Sequence, residues 1–224
     1  MSRIEFLSYP LKPVNPVYGE QSKKLNLKPV KSIATGDSCN VFRLELENHW
    51  GTHVDCPAHF FNDSLTAANY PAGFWCFQKP QIISIKVEPC QIIRWTDLKD
   101  NIYPQTDFLI VYTGWGEKRE QNDYCLRNPG ISPEVGRYLR KDFPSIRAIG
   151  FDFISISSFN NRELGQKSHR MFLDPDGENA SIVIVEDMNL TGDLLGLSSV
   201  WVVPIRVEGM DSAPCTVIGI FDSL

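Results

Sequence analysis

Three of the four histidines of this 224-residue chain lie within one eleven-residue segment, residues 49–59. Gly51 and Pro57 interrupt that segment, and both residue types disfavour a continuous helix. We therefore predict an extended chain here, although His49 and His53 also have the i, i+4 spacing of one helical face. Alternate residues of an extended chain share a face, so the three histidines are expected to point the same way.

Asp55 falls on the same predicted face, which makes a metal site the natural interpretation. At about 3.3 Å per residue, His53 and Asp55 are about 6.6 Å apart, a span that one ion can bridge. His49 is about 13 Å from His53 in a straight chain, so a bend is required, and Gly51 permits one. Two imidazoles and one carboxylate leave coordination positions open for water, as a hydrolytic metal centre needs. His59 lies further along and need not contact the same ion.

Other interpretations of these residues are weaker. Histidines beside a turn are often ordinary surface or core residues, but their shared phase with a carboxylate favours a metal site. Cys56 lies close enough to suggest a nucleophile, yet its alternate position directs it away from the histidines, which favours a packed thiol. Outside the segment, the residue types alone make only weak site candidates of His169, Glu186 and Asp152, the last with Ser155 nearby.

Composition excludes several classes of partner. The net charge of −5 provides no basic surface for nucleic acid. The longest apolar runs, residues 182–185 and 200–203, are far too short to span a bilayer, so no membrane partner is expected. The first five residues have no apolar leader core and are typical of a cytoplasmic protein. The six scattered cysteines form no Cys-x-x-Cys pair, which indicates reduced thiols in a reducing compartment.

The remaining pattern predicts a mixed, strand-rich α/β fold. Residues 41–47 alternate between apolar and charged side chains, which predicts a half-buried strand. A helix is predicted to begin after Ser132, with Pro133 as its first residue, and to end before Pro144. The proline-rich first thirty residues are expected to form an extended segment around a single domain, residues 1–224. Six further runs rich in β-branched residues predict strands: 81–87, 108–113, 146–151, 182–185, 200–207 and 216–221.

The histidine segment also resembles a known family. His49-Trp-Gly-Thr-His53-Val-Asp55-Cys-Pro57-Ala-His59 is similar to the H-x-G-T-H-x-D-x-P-x-H motif of the cyclase-like metal-dependent hydrolases, which include bacterial kynurenine formamidases and isatin hydrolases. Seven positions of the motif are specified. The resemblance extends over most of the chain, with further similar blocks at residues 113–115, 129–134, 150–152, 186–190 and 208–214.

The resemblance implies roles for individual residues. His49, His53 and Asp55 would hold a first divalent ion, Zn or Mn. Asp55 would also bridge to a second ion held by His169 and Glu186 in the two-metal members, so the chain would carry one or two ions. His59 would donate and accept the proton. The family fold is of the swivelling β/β/α type, assembled as a homodimer or homotetramer.

Three departures from the family pattern concern the substrate side and a loop. A tryptophan that contacts substrate in kynurenine formamidases corresponds to Tyr18 here. His169 and Glu186 are seventeen residues apart, more than in those enzymes, with residues 174–179 as the predicted insertion. An arginine common near the end of the family pattern corresponds to Thr216. The predicted metal centre is complete, whereas the predicted substrate pocket is not standard.

We therefore predict a metal-dependent hydrolase that cleaves an amide-type C–N bond, linear or cyclic, in a small-molecule substrate by metal-activated water, with His59 passing a proton to the leaving nitrogen. A lactone or ester hydrolase with the same centre is one alternative, and a non-catalytic metal-binding protein is another. Asp152 and Ser155 are expected to support the ligands. Four aromatic residues are expected to line the substrate side: Tyr18, Phe60, Phe61 and Trp75.

Overall fold

The computed structural model describes residues 2–222, apart from the side chains of residues 20–24. The strands of this part are β1 Arg3–Phe6, β2 Val14–Val17, β3 Glu20–Lys24, β4 Asn26–Lys31, β5 Val41–Glu45, β6 His53–Asp55, β7 Cys76–Phe77, β8 Pro80–Ser84, β9 Ile92–Ile93, β10 Phe108–Tyr112, β11 Gly130–Ile131, β12 Ala148–Phe151, β13 Val183–Glu186, β14 Leu197–Pro204 and β15 Ser212–Phe221. The α-helices are α1 Trp95–Leu98, α2 Asn122–Leu126, α3 Pro133–Asp142 and α4 Arg162–Leu173. Short 3₁₀ helices cover Ile33–Thr35, Pro57–His59, Ala67–Asn69, Ala72–Trp75, Lys99–Asn101, Trp115–Lys118 and Phe159–Asn161.

One nine-stranded sheet organises the chain. Its strands lie in the order β7-β14-β15-β6-β13-β12-β10-β8. The ninth strand, β1, pairs with the last four residues of β15, Ile218 to Phe221. Strands β8, β10, β12 and β13 run parallel, while β6, β14 and β15 are antiparallel to their neighbours. The sheet curls until β14 approaches β8, which gives a nearly closed barrel. The mixed, strand-rich α/β class predicted from the sequence is confirmed.

The parallel strands are apolar on both faces because each face is covered. In β10, Leu109 and Val111 belong to one apolar cluster, together with residues of α3 and α4. Phe108 and Ile110 of the same strand face a second cluster inside the curled sheet. A strand buried on two sides is expected to read as a continuous apolar run, as Phe108–Tyr112 does. Because both of its faces are packed, β10 is held firmly in the centre of the fold.

Two helices cover the outer face of the parallel strands. Helix α3 begins at Pro133 directly after Ser132, as predicted, and buries Val135 and Leu139. Helix α4 was not predicted, although it is longer and buries Phe172 and Leu173. With 12 residues α4 is too short to cross a bilayer, and no other helix in residues 2–222 is long and apolar enough to do so.

The seven predicted strands form β5, β8, β10, β12, β13, β14 and β15, with shifted ends. The prediction that this first strand is half-buried was wrong: every residue of Val41–Glu45 is exposed within this chain. Its partner in the described part is β4, and the pair forms a separate two-stranded sheet. The extended segment expected near the amino terminus contains β1, the β2–β3 hairpin and β4.

Close packing of α4 against the loop after β12 generates a stability prediction. A Cβ atom at Gly165 would lie 2.6 Å from Ser157 Cα and closer still to its side chain. Gly165→Ala is therefore expected to lower the free energy of unfolding by about 1–3 kcal/mol, measured by denaturant titration. Gly73→Ala is the matched control, because nothing lies within 4 Å of its added Cβ. Equal stability of the two variants would contradict this packing.

Candidate metal centre

Strand β6 places two of the predicted ligands between its neighbours. His53 and Asp55 share one face of β6, while Val54 between them packs into the second apolar cluster. The antiparallel register with β13 sets Glu186 directly opposite His53. Their side chains meet with His53 Nε2 3.4 Å from Glu186 Oε2 and 3.5 Å from Asp55 Oδ1. The register of two central strands thus brings an imidazole and two carboxylates together.

Gly51 supplies the bend that the sequence required. Its φ of 62° is in the left-handed region, and a Cβ there would approach Leu11 Cδ2 to 2.9 Å. The bend returns His49 to within 5.0 Å of His53, measured between ring centroids. His49 Nδ1 then lies 3.2 Å from Asp55 Oδ1. Within residues 49–59, β6 is the extended part, because Pro57–His59 forms a short 3₁₀ helix.

Helix α4 contributes the fourth histidine. His169 Nε2 lies 3.5 Å from Asp55 Oδ2 and 3.6 Å from Glu186 Oε1. The two oxygens of Asp55 therefore face different partners: Oδ1 faces His49 and His53, and Oδ2 faces His169. The other four predicted ligands therefore gather around this carboxylate.

Backbone carbonyls fix the orientation of two of the imidazoles. His53 Nδ1 lies 2.8 Å from the carbonyl oxygen of Gly51, and His169 Nδ1 lies 3.0 Å from that of Gly165. A carbonyl only accepts, so each Nδ1 carries the donated proton, which leaves Nε2 as the ring nitrogen that binds either a second proton or a cation. Both Nε2 atoms face the carboxylates. This is the arrangement that holds metal-ligating histidines in proteins.

The loop after β12 supports Glu186. The backbone N–H of Ile156 donates to Glu186 Oε1 at 2.7 Å, and Ser155 Oγ donates to the same oxygen at 3.2 Å. Ser157 lies beyond, with its Oγ 3.4 Å from His169 Nδ1. These bonds occupy one oxygen of Glu186 and leave Oε2 facing His53.

Three buried polar atoms at the centre have no hydrogen-bond partner among the described residues. They are His53 Nε2 and both carboxylate oxygens of Asp55. A buried ionised carboxylate without partners is strongly unfavourable unless a cation compensates it. Imidazole nitrogens and carboxylate oxygens are also the ligands that divalent transition metals take. The donor set therefore fits a divalent metal ion.

The pKa shifts of the clustered side chains also indicate that the site fits a cation. Burial alone would lower the pKa of His49, but the carboxylates of Asp211 and Asp55 outweigh burial and raise it to about 10. His169 behaves similarly, because Asp55 and Glu186 raise its pKa to about 9 against the effect of burial. Burial would raise the pKa of Asp55, yet the adjacent imidazoles hold it well below its usual value. In the metal-free protein, protons thus neutralise the carboxylates, and a cation would replace those protons.

His59 pairs with Asp211, a carboxylate outside the predicted ligand set that also lies 3.7 Å from His49 Nε2. Its Nδ1 lies 2.8 Å from Asp211 Oδ2, and its ring lies 4.3 Å from that of His49. Asn48 Nδ2 donates to the other oxygen of Asp211. His59 is also near enough to His49 and Asp55 for the three to share an ion. The geometry therefore allows His59 to act either as a metal ligand or as a proton carrier. Sequence analysis gave Asp211 no role, because 152 residues separate it from His59.

A cavity of about 240 Å³ opens onto these side chains. Tyr18 lines it, as predicted, and its hydroxyl donates to the carbonyl of Ser158 at 3.4 Å. Phe60 stacks on His169 with ring centroids 4.8 Å apart. Ile154 and Ser157 also line the cavity and were not predicted from sequence. The complete lining is Tyr18, His49, His53, Asp55, His59, Ile154, Ser155, Ser157, His169 and Glu186.

Several other candidates lie elsewhere. Trp75 was wrongly expected at the substrate side: it is buried in the second apolar cluster and lines a different cavity. Asp152 accepts hydrogen bonds from the backbone and hydroxyl of Thr113, and none of its described hydrogen bonds reaches a predicted ligand. Phe61 packs against the first cluster, outside the cavity lining. Cys56 is fully buried, and burial raises the pKa of its thiol, so it is a packed thiol and not a nucleophile.

Two of the three departures from the family pattern are remote from the cavity. Thr216 lies on β15 and lines a separate groove. Residues 174–179 follow α4 and are held by Arg140, which donates to the carbonyls of Glu178 and Asn179. The third departure, Tyr18, is the one that lies in the cavity lining.

The convergence on Asp55 predicts which substitutions remove metal. His53→Ala and Asp55→Ala are expected to abolish binding, measured as metal per chain by mass spectrometry of the purified protein, because each removes a partnerless atom of the centre. His169→Ala is expected to reduce a two-ion protein to one ion per chain. His59→Ala is expected to keep its metal, because His59 is paired with Asp211. Full occupancy in His53→Ala would overturn the assignment.

Comparison with known proteins is consistent with this arrangement. Residues 6–158 match the family model described as putative cyclase. Cyclase-like protein 1 of Arabidopsis thaliana is 25% identical over 203 residues, covering 85% of this chain and 73% of the relative. Kynurenine formamidase of Bacillus anthracis is 25% identical over 186 residues, covering 79% and 78%. Isatin hydrolase A from Labrenzia aggregata superimposes with a TM-score of 0.82 at 17% identity, covering 99% and 94%. Since the family model spans more than half of its residues, the chain belongs to the putative cyclase family.

Proposed function

We propose that this protein is a metal-dependent hydrolase that cleaves an amide-type C–N bond in a small organic molecule. The observation that carries the proposal is a set of buried atoms on His53 and Asp55 that have no hydrogen-bond partner among the described residues, in a cavity that His59 also lines. A metal-binding function alone would explain the first part. It leaves the His59–Asp211 pair at the cavity without a role.

Five residues would hold the metal. His49, His53 and Asp55 form one set, and His169 faces the other oxygen of Asp55. Glu186 reaches His53 with one of its oxygens and His169 with the other. The donor set suits Zn²⁺ or Mn²⁺, with one ion in the first set and space for a second beside His169. When bound, such a cation polarises a substrate carbonyl and lowers the pKa of water.

The remaining chemistry falls to the protein's own side chains. Asp211 accepts a hydrogen bond from Nδ1–H of His59, which leaves Nε2 as the ring nitrogen that moves a proton. In amide hydrolysis, the oxygen of water bonds to the carbonyl carbon, the C–N bond breaks, and the departing nitrogen needs a proton. His59 accepts the proton from water and delivers it to that nitrogen. The negative charge of Asp211 stabilises the imidazolium between the two steps.

The relatives support an amide over other substrates. A formamidase, by its name, hydrolyses a formamide, and isatin, the compound named for the structural neighbours, is a cyclic amide. The cavity, at about 240 Å³, suits a compound of that size. Tyr18 and the imidazoles in the lining are flat rings, and Phe60 stacks on one of these imidazoles, that of His169, which favours a planar or aromatic substrate.

Elemental analysis combined with a substrate panel tests the proposal. The purified protein should contain a divalent metal and should hydrolyse aryl formamides or cyclic amides, and removal of the metal by a chelator should abolish turnover. Restoring Zn²⁺ or Mn²⁺ should recover the activity. Turnover of lactones without amides would replace the proposal by an ester hydrolase. Metal without turnover of any panel member would indicate a binding protein.

The His59–Asp211 pair generates a second prediction about the reaction. Proton transfer by a positioned side chain typically contributes about 10²–10⁴-fold in rate, so His59→Ala should lower kcat by that factor with metal content unchanged. Asp211→Asn removes the charge but keeps the shape, and should lower kcat by roughly 10–100-fold with little change in KM. Both constants are measured on the metal-loaded enzyme. Loss of metal from His59→Ala would make that residue a ligand, and full activity would remove it from the mechanism.

A further inference from the structure

A fully buried carboxylate lies next to a predicted metal ligand but is paired within the protein. Asp187 directly follows Glu186 at the end of β13. Arg119 donates two hydrogen bonds to it, from Nε to Oδ1 at 3.0 Å and from Nη2 to Oδ2 at 2.8 Å. The hydroxyl of Tyr124, on α2, donates to Oδ1 as well. Both oxygens of Asp187 are therefore occupied, whereas those of Asp55 have no hydrogen-bond partner in the described part of the chain.

The Arg119–Asp187 pair has a fixed geometry. Two parallel N–H···O bonds hold a guanidinium and a carboxylate in a defined relative orientation. The guanidinium also lies over the ring of Tyr9, with Cζ 4.0 Å from the ring centroid. A buried ion pair contributes little net stability compared with apolar residues of similar volume. Net stability therefore does not account for the presence of this pair.

The backbone at Asp187 is held in an uncommon conformation. Its φ of 54° lies in the left-handed region, where residues other than glycine are disfavoured. Its N–H donates to the carbonyl of Phe153 at 3.0 Å, which restrains the main chain on one side. Backbone strain of this kind persists where the surroundings over-determine the conformation, and it clusters at functional sites. The bonds from Arg119 and Tyr124 supply that restraint at the side chain.

The carbonyl of Asp187 connects the pair to β6. Thr52 Oγ1 donates to this carbonyl at 2.6 Å and accepts from the backbone N–H of Tyr9 at 3.1 Å. Thr52 directly precedes His53, the first residue of β6. Glu186, which directly precedes Asp187, lies opposite His53 in the register of the two strands. The bond between Thr52 and Asp187 thus continues the pairing of β6 with β13 one position beyond the two predicted ligands.

We propose that the Arg119–Asp187 pair positions the metal ligands, because it holds the adjoining ends of β6 and β13 at the spacing that lets their side chains share one ion. His53 and Glu186 are near enough to do so, together with Asp55. The inference rests on the metal centre of the proposed function, and it adds residues that act on the ion only through the ligands. A site whose ligands are already in place needs little rearrangement when the ion binds, so loosening the pair should weaken binding.

Metal affinity, measured as competition for Zn²⁺ between the full chain and a chromogenic chelator, tests the proposal. Asp187→Asn and Arg119→Met are each expected to weaken binding by about 10–100-fold, the usual effect of removing a group that orients metal ligands. The two substitutions change the charge near the site in opposite directions. A purely electrostatic influence would weaken binding in Asp187→Asn and tighten it in Arg119→Met, and that result would overturn the proposal.

A second ion pair provides the matched control. Arg147 Nη2 and Asp107 Oδ2 are 3.4 Å apart, and the two residues directly precede β12 and β10. They therefore lie at the opposite end of the parallel strands from Glu186. Arg147→Met and Asp107→Asn should lower the free energy of unfolding without changing the affinity for Zn²⁺. An equal loss of affinity in these variants would show a general effect of destabilisation and would overturn the positioning role.

Tyr124→Phe and Thr52→Val provide a milder test, should the variants of the charged pair fail to fold. Each removes one hydrogen bond of Asp187 and no charge. Loaded with Co²⁺, whose visible absorption depends on the geometry of its ligands, both variants should bind more weakly and show a changed spectrum. Affinity and spectrum equal to those of the unchanged protein would overturn the proposal.

These measurements separate the positioning role from the proposed function, because they need the metal ion and no substrate. An unchanged protein that binds Zn²⁺ but cleaves no amide would contradict the hydrolase, while weaker binding in the variants would still support the positioning role. An unchanged protein that binds neither Zn²⁺ nor Co²⁺ would overturn both.

Discussion

The carboxylate of Asp55 is the group on which the rest of the site depends. It is buried, neither of its oxygens has a hydrogen-bond partner among the described residues, and three imidazoles face it from β6, from the bend before β6 and from α4. An uncompensated charge in such surroundings would be strongly destabilising. The neighbouring imidazoles compensate it when they are protonated, and the same donor set fits a divalent cation, so charge compensation and the proposed chemistry have one origin.

Rigid elements hold this geometry. His53 and Glu186 are fixed relative to each other by the register of two adjacent strands at the centre of the sheet. His169 is fixed by α4, whose Gly165 packs against the loop that bonds Glu186. Side chains on strands and helices are positioned more accurately than those on free loops. Ligands separated by more than a hundred residues are thereby kept within bonding range of one ion.

Burial separates two kinds of histidine at the site. His53 and His169 are buried, and backbone carbonyls fix their tautomers, which suits ligands. His59 is partly accessible beside the cavity and is held by a carboxylate, which suits proton transfer.

The local pattern by itself determined much of the site. The alternation of His53 and Asp55, the bend at Gly51 and the strand-rich α/β class all follow from the short-range preferences of the residues involved. Tertiary structure alone decided that Asp211 meets His59 across 152 residues and that α4 brings His169 to Asp55. It also decided that β5 stays exposed within the chain. A period of two specifies which face of a strand is apolar, but carries no information about what covers that face. Contacts between distant segments likewise depend on how the whole sheet closes, which no local preference encodes.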